Sequence, residues 1–144
     1  MIVDILREVS GIFLSIQSKK REVITFLEEL KGLLGKEDFN IDSDLILIRK
    51  KKPDDEEHST RFTLLDLNYD SNDVVDIIRE LTVAGYSETL VDRDDINPPH
   101  LFVFGKMINN KLVYIKLKVK GKPRQRILCI SFHYAKDPME FPYL

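Results

Sequence analysis

Three short runs in the last third of the chain, Leu101–Ile108, Leu112–Lys120 and Ile127–Tyr134, most constrain what it can fold into. Each alternates or concentrates apolar residues over a strand's length between turn-forming residues. Asn109-Asn110 separates the first two, and asparagine tolerates the left-handed backbone that a two-residue hairpin turn requires. Gly121-Lys122-Pro123 breaks the second run from the third. The three runs predict an antiparallel meander.

The upstream half reads as mostly helical. Ile2, Ile5, Leu6, Val9, Phe13 and Ile16 have helical spacing over Ile2–Gln17, although Gly11 weakens such a helix. Val23, Phe26, Leu27, Leu30, Leu33 and Leu34 predict a cleaner amphipathic helix ended by Gly35. The spacing leaves open whether one bent helix or two occupy residues 2–34. Leu45–Ile48 suits a strand, and Arg49-Lys50-Lys51-Lys52-Pro53 followed by four acidic residues reads as an exposed turn, although the four basic residues could also touch phosphate. Phe62, Leu64, Leu65 and Leu67 suggest another strand. Ser71 can cap a helix with the stripe Val74, Ile77, Ile78 and Leu81, whose Asp73 and Asp76 suit the positive end of its dipole. Gly85 to Pro99 is polar and acidic and reads as a connector. The expected class is α+β: N-terminal helices packed on a mostly antiparallel sheet ending in a three-stranded meander. A length of 144 residues fits a single domain, with 1–20 as an N-terminal helical extension and 21–144 as the α+β body.

Charge is uneven. Residues 100–144 carry nine Lys/Arg against two Asp/Glu, whereas residues 1–99 carry thirteen against twenty-two. This asymmetry suits either an anionic partner for the C-terminal part or attraction between the two halves. No apolar run reaches the roughly 18–20 residues of a spanning helix. The start, Met1-Ile2-Val3-Asp4, has no charged region leading into an apolar stretch and no cleavage signature, so a cytoplasmic protein with no membrane partner is expected. One cysteine, Cys129, excludes an internal disulfide and a multi-cysteine zinc site. His58, His100 and His133 lack a ligand spacing, and Asp92, Asp94 and Asp95 lack the rest of a calcium loop, so no metal or other cofactor is expected.

Strand side chains alternate between faces. Val113, Ile115, Leu117 and Val119 point one way, and Tyr114, Lys116, Lys118 and Lys120 the other. On the last strand Leu128, Ile130 and Phe132 form one row, and Ile127, Cys129, Ser131 and His133 the other. If both apolar rows face the helices and no bulge intervenes, Tyr114, Lys116 and Lys118 share the opposite face with Ser131 and His133. Cutting RNA without a metal needs a base for the 2′-hydroxyl, a cation for the phosphate and an acid for the leaving oxygen. Histidine titrates near neutrality, lysine supplies charge, and a tyrosine hydroxyl can donate to phosphate. Aromatic rings such as Phe104 can stack on unpaired bases. From the residues alone an ordinary solvated sheet face accounts for them more readily, since lysine on the open side of a strand confers solubility and tyrosine favours sheets.

The phrases Val103-Phe104-Gly105-Lys106, Val113-Tyr114-Ile115-Lys116-Leu117, Cys129-Ile130-Ser131-Phe132-His133 and Pro138-Met139-Glu140-Phe141-Pro142-Tyr143 resemble the MqsR family of type II toxin–antitoxin toxins. Ile77-Ile78 through Leu81-Thr82 and Tyr86 are similar too. The resemblance covers about residues 71–144 well and 21–70 in outline. It implies a RelE-like fold and a metal-independent endoribonuclease that cuts mRNA and is held inactive by a cognate antitoxin. It implies catalytic roles for Tyr114, Lys116 and His133, the last standing where the best-known member has a lysine. Glu88 lies near the place of a further family lysine. Lys106, Lys118, Phe104 and Ser131 are the expected RNA-binding residues. Two other possibilities stand beside it. One is a non-catalytic module that binds nucleic acid or an acidic protein on the basic sheet face. The other is homo-oligomer formation through the N-terminal helix, with the sheet as scaffold.

Overall fold

The computed structural model describes residues 13–144. It is an α+β structure built on one six-stranded sheet. The elements are β1 (Phe13–Ile16), α1 (Lys20–Leu34), α2 (Ile41–Asp44), β2 (Leu45–Leu47), α3 (Thr60–Leu67), α4 (Ser71–Glu80), β3 (Tyr86–Asp92), β4 (Leu101–Ile108), β5 (Lys111–Lys120) and β6 (Arg126–Tyr134). The strands lie in the order β1-β3-β4-β5-β6-β2, and only β2 runs parallel to its neighbour. The C-terminal meander is present as expected, with Asn109 and Asn110 both at positive φ in its first turn.

Helices α1 and α4 cover one face of the sheet. Val23, Phe26, Leu27 and Leu30 of α1 and Val74 and Ile78 of α4 bury against Phe104, Ile115, Leu117, Cys129 and Phe132. Phe26 stacks on Phe102 at 4.1 Å between ring centroids. The apolar stripes of both helices were legible from spacing, because a helix that buries one side repeats every three to four residues. Asp70, rather than Ser71, caps α4, its carboxylate accepting the Asp73 N–H at 3.1 Å.

Three upstream expectations are corrected. Phe13–Ile16 is strand rather than helix, paired antiparallel with Thr89–Asp92. The remainder of the expected Ile2–Gln17 helix lies outside the described residues. Tyr86–Asp92, read as connector, is the strand that β1 pairs with. Ser18 behind β1 is tied to β3 by buried hydroxyls: Tyr86 Oη accepts the Ser18 N–H at 2.8 Å, and Thr89 Oγ1 lies 2.6 Å from both Ser18 Oγ and Tyr86 Oη.

The third correction is Thr60–Leu67, a helix rather than a strand. Ser59 Oγ accepts the Phe62 N–H at 3.1 Å to start it, and Asn68 ends it with φ 57°. Its purpose in the fold is visible in two threonines one turn apart. β2 covers only Ile127–Cys129 of β6. Beyond it, Thr60 Oγ1 accepts the Phe132 N–H at 3.1 Å and Thr63 Oγ1 accepts the Tyr134 N–H at 3.0 Å. The helix thus closes the edge of β6 where no strand reaches. Replacing Thr63 with valine keeps the shape but leaves the Tyr134 amide buried without an acceptor. An unmet buried donor costs about 1–3 kcal/mol. Chemical denaturation of Thr63→Val is expected to show that loss, and an unchanged midpoint would mean that the edge is closed by other means.

The turn between β5 and β6 is anchored by residues some eighty positions earlier in the chain. Arg124 Nε donates to Asp44 Oδ1 at 2.7 Å, and its Nη1 donates to Asp38 Oδ2 at 3.0 Å. Asp44 is buried, and the hydrogen-bonded guanidinium holds its carboxyl well below the usual carboxylate range.

Candidate active site

The face of the sheet away from the helices is shaped by a bulge. Tyr114 pairs with His133 and Lys116 with Ser131, but Leu117 then pairs with Cys129, so Ile130 is skipped. The skip reverses the alternation of β6. Ile127, Cys129 and Phe132 face the helices, whereas Leu128 and Ile130 join Leu101 in a second apolar cluster with Phe13, Ile46, Ile48 and Leu90. Leu128, Ile130 and Phe132 are therefore not one row, nor do Ile127 and Cys129 share a face with Ser131 and His133. A period of two cannot report a bulge in advance.

Beyond this cluster the face hollows into a cleft of about 820 Å³. Tyr114, Lys116, Ile130, Ser131 and His133 form its floor, with Ser15 to Gln17, Ser87 and Glu88 on the β1–β3 side and Lys50, Lys52 and Thr60 on the β2 side. The C-terminal tail, Lys136 to Glu140, supplies the remaining wall. The tail is seated by contacts that require a glycine. A Cβ on Gly105, which pairs with Tyr114, would lie 2.7 Å from the Phe141 ring. Ser87 Oγ donates to the Glu140 carbonyl at 2.7 Å, and Tyr143 stacks on Tyr86 at 5.8 Å.

The structure separates the expected site residues. Tyr114, Lys116, Ser131 and His133 line one cleft. Phe104 is fully buried between sheet and helices and cannot stack on a base. Lys106 pairs with Val113 on the helix side, where its Nζ lies 3.3 Å from Glu80. Lys118 is buried and lines a separate hollow beside Phe13, Leu90 and Pro98. Three of the four expected RNA-binding residues, Phe104, Lys106 and Lys118, thus lie outside the cleft that holds Ser131. Conversely, Lys50 and Lys52 belong to the cleft rather than to a solvated turn. Ile48 N–H donates to the Cys129 carbonyl at 3.0 Å, carrying the chain on along β6 past β2. Ile46 and Ile48 sit on the open face, and the segment that follows them brings Lys50 and Lys52 to the cleft.

His133 and Tyr114 stack nearly parallel, 5.1 Å between centroids and 12° between planes. His133 Nδ1 lies 2.9 Å from the Tyr134 carbonyl. A carbonyl only accepts, so Nδ1 carries the proton and Nε2 the lone pair. Among the described residues no buried side-chain nitrogen or oxygen lacks a partner, and Nε2 has none, so it opens to the cleft. Burial, with the charges of Lys52 and Lys116 adding to it, pushes the His133 imidazolium down to about 4, against the carbonyl bond that favours it. At pH 7 the ring is neutral. Burial, helped by Glu88, pushes the Tyr114 hydroxyl up to about 12, which keeps it a donor. Burial also lowers the proton affinity of Lys116, and Lys52 adds to this. The floor therefore offers a neutral base, a hydroxyl donor and an ammonium with a weakened hold on its proton.

Cys129 is buried and its thiol is pushed up to about 12 by desolvation, so it remains an inert thiol in the sheet. Among the described residues no group of three His, Cys, Asp or Glu side chains is arranged to hold a metal ion, and no helix is long and apolar enough to cross a membrane. No protein-family model, curated protein or solved structure matches the chain.

Proposed function

We propose that the chain is a metal-independent endoribonuclease that cuts mRNA, a cytoplasmic toxin of the MqsR kind restrained by a cognate antitoxin. The single observation that carries the chemistry is His133, its Nε2 open to a cleft where Lys116 stands two rungs along the β5–β6 ladder on the same face. In the proposed reaction Nε2 takes the proton of a 2′-hydroxyl as its oxygen bonds to the adjacent phosphorus. The bond from phosphorus to the 5′-oxygen breaks, and Lys116 gives that oxygen a proton. The products are a 2′,3′-cyclic phosphate and a 5′-hydroxyl, and no water is consumed. Tyr114 donates a hydrogen bond to a non-bridging oxygen, where charge accumulates in the transition state. Ser131, beside Lys116, offers a further hydroxyl to the phosphate.

Wild-type protein is expected to cleave single-stranded RNA in EDTA and to leave cyclic-phosphate and 5′-hydroxyl ends. RNA that stays intact, or ends bearing a 5′-phosphate, would sink the proposal. A binding module is the second reading, favoured by the four lysines, Lys50, Lys52, Lys116 and Lys136, that line the cleft. It predicts RNA affinity that falls steeply with salt, through counterion release, and no cutting.

A further inference from the structure

The cleft holds a cation to which the resemblance assigns no role. On the β2 side stand Lys50, Lys52 and, from the tail, Lys136. Lys136 is exposed and ion-paired with Asp55 at 3.1 Å, and Lys50 is exposed. Lys52 differs from both. It is half-buried, and its Nζ donates to the His58 carbonyl at 3.0 Å. That turn is itself pinned, since His58 Nδ1 lies 2.6 Å from Asp55 Oδ1. An ammonium has three donors, so the anchored Lys52 head keeps two more to offer. β6 lies between β5 and the edge that carries β2 and the start of α3, which sets Lys116 on one side of the row Ser131 and His133 and Lys52, tied to the His58 carbonyl just before α3, on the other.

We infer that Lys52 is a further catalytic residue, contacting a non-bridging oxygen of the scissile phosphate from the side opposite Lys116. It rests on the endoribonuclease reading. The electrostatics agree with this placement, because the charge of Lys52 lowers the proton affinity of both His133 and Lys116 and so reaches both. A phosphate seated over Ser131 would lie between two ammonium groups, one on the sheet floor and one held by a backbone carbonyl. Charge developing on its oxygens would meet cations already in place, which is how fixed donors accelerate such a step.

The test uses an oligonucleotide with one cleavable linkage, made as the two separate phosphorothioate diastereomers and as the plain phosphate. Wild type is expected to cut one diastereomer more slowly than the other, because sulfur is a poor partner for the ammonium. Lys52→Met is expected to cut the plain phosphate about 100-fold more slowly, the order found for losing one transition-state donor. It is also expected to narrow the preference between diastereomers. Lys52→Arg, which keeps the charge, is expected to recover part of the rate. If Lys52→Met does not fold, Lys52→Gln, which keeps a neutral donor for the His58 carbonyl, replaces it with the same expected narrowing. A slower variant with an unchanged diastereomer ratio, or no loss of rate, would overturn the role of Lys52 while leaving the nuclease intact. No cleavage by wild type would overturn the endoribonuclease reading and this role together.

Discussion

Purified His133→Ala is expected to cleave RNA about 100- to 10,000-fold more slowly than wild type, the range that a positioned general base contributes. The size follows from what the alternatives in the cleft can do. Tyr114 holds its proton until about pH 12 and an ammonium has no lone pair to accept one, so neither replaces a neutral imidazole as proton acceptor. Of the cleft's carboxylates, Glu88 accepts a hydrogen bond from Ser15 Oγ at 2.9 Å on the β1–β3 side, and Asp137 and Glu140 stand on the tail wall rather than on the floor. The loss should fall on kcat, because His133 is neutral and adds little to phosphate binding. His133→Gln keeps a polar side chain of similar reach without a titrating nitrogen, and should be as slow as the alanine variant. Matching melting midpoints for wild type and His133→Gln would separate lost chemistry from lost fold. A His133→Gln enzyme that still cuts within a few-fold of wild type would remove histidine from the mechanism.

The sequence was most legible where local pattern and long-range structure agree. β5 alternates, β4 and β6 concentrate apolar residues over a strand's length, and all three are bounded by their own turn residues, so their existence needed no knowledge of partners. The amphipathic stripes of α1 and α4 were equally self-contained. Thr60–Leu67 failed because Phe62, Leu64 and Leu65 fit a strand pattern over so short a run, while Leu65 is in fact exposed. The useful signals were Ser59 and Asn68 at its two ends and the spacing of Thr60 and Thr63, whose partners are the β6 amides some seventy residues away. β3 failed for a related reason. A buried Thr89 in a hydroxyl network and a bulge between Tyr86 and Glu88 hide its alternation.

The site was half legible. Tyr114, Lys116, Ser131 and His133 meet because they lie on paired stretches of β5 and β6 on the same side of the bulge. Phe104 and Lys106 could have been excluded from the sequence by parity alone. Phe104 pairs with Ile115 and Lys106 with Val113, which places both on the face that the apolar row of β5 had already assigned to the helices. Lys118 lies past the bulge, in different surroundings. Lys50 and Lys52 reach the cleft from the irregular segment after β2, where a run of four basic residues has no strand period to say which of them turns inward. The walls from β1, β3 and the tail depended on pairings that no local pattern encodes.

Lys116→Met is expected to slow cleavage about 100- to 10,000-fold and to change the shape of the pH profile. For wild type the two working groups must be in opposite states: His133 neutral and Lys116 protonated. His133 gains its proton only as pH falls through about 4, so the acidic limb of kcat should lie there rather than near 6.5. Lys116 loses its proton more readily than an ordinary lysine, so the alkaline limb should lie below the usual lysine range. Between the limbs the rate should be flat across neutrality. Lys116→Met removes the acid and with it the alkaline limb, leaving the acidic one. A substrate whose bridging 5′-oxygen is replaced by sulfur distinguishes the acid from a mere phosphate cation. A thiolate departs without being protonated, so Lys116→Met should recover most of its lost rate on that substrate, whereas His133→Ala should not. Equal impairment of Lys116→Met on both substrates would leave Lys116 as a charge beside the phosphate and return the leaving-group proton to another donor in the cleft.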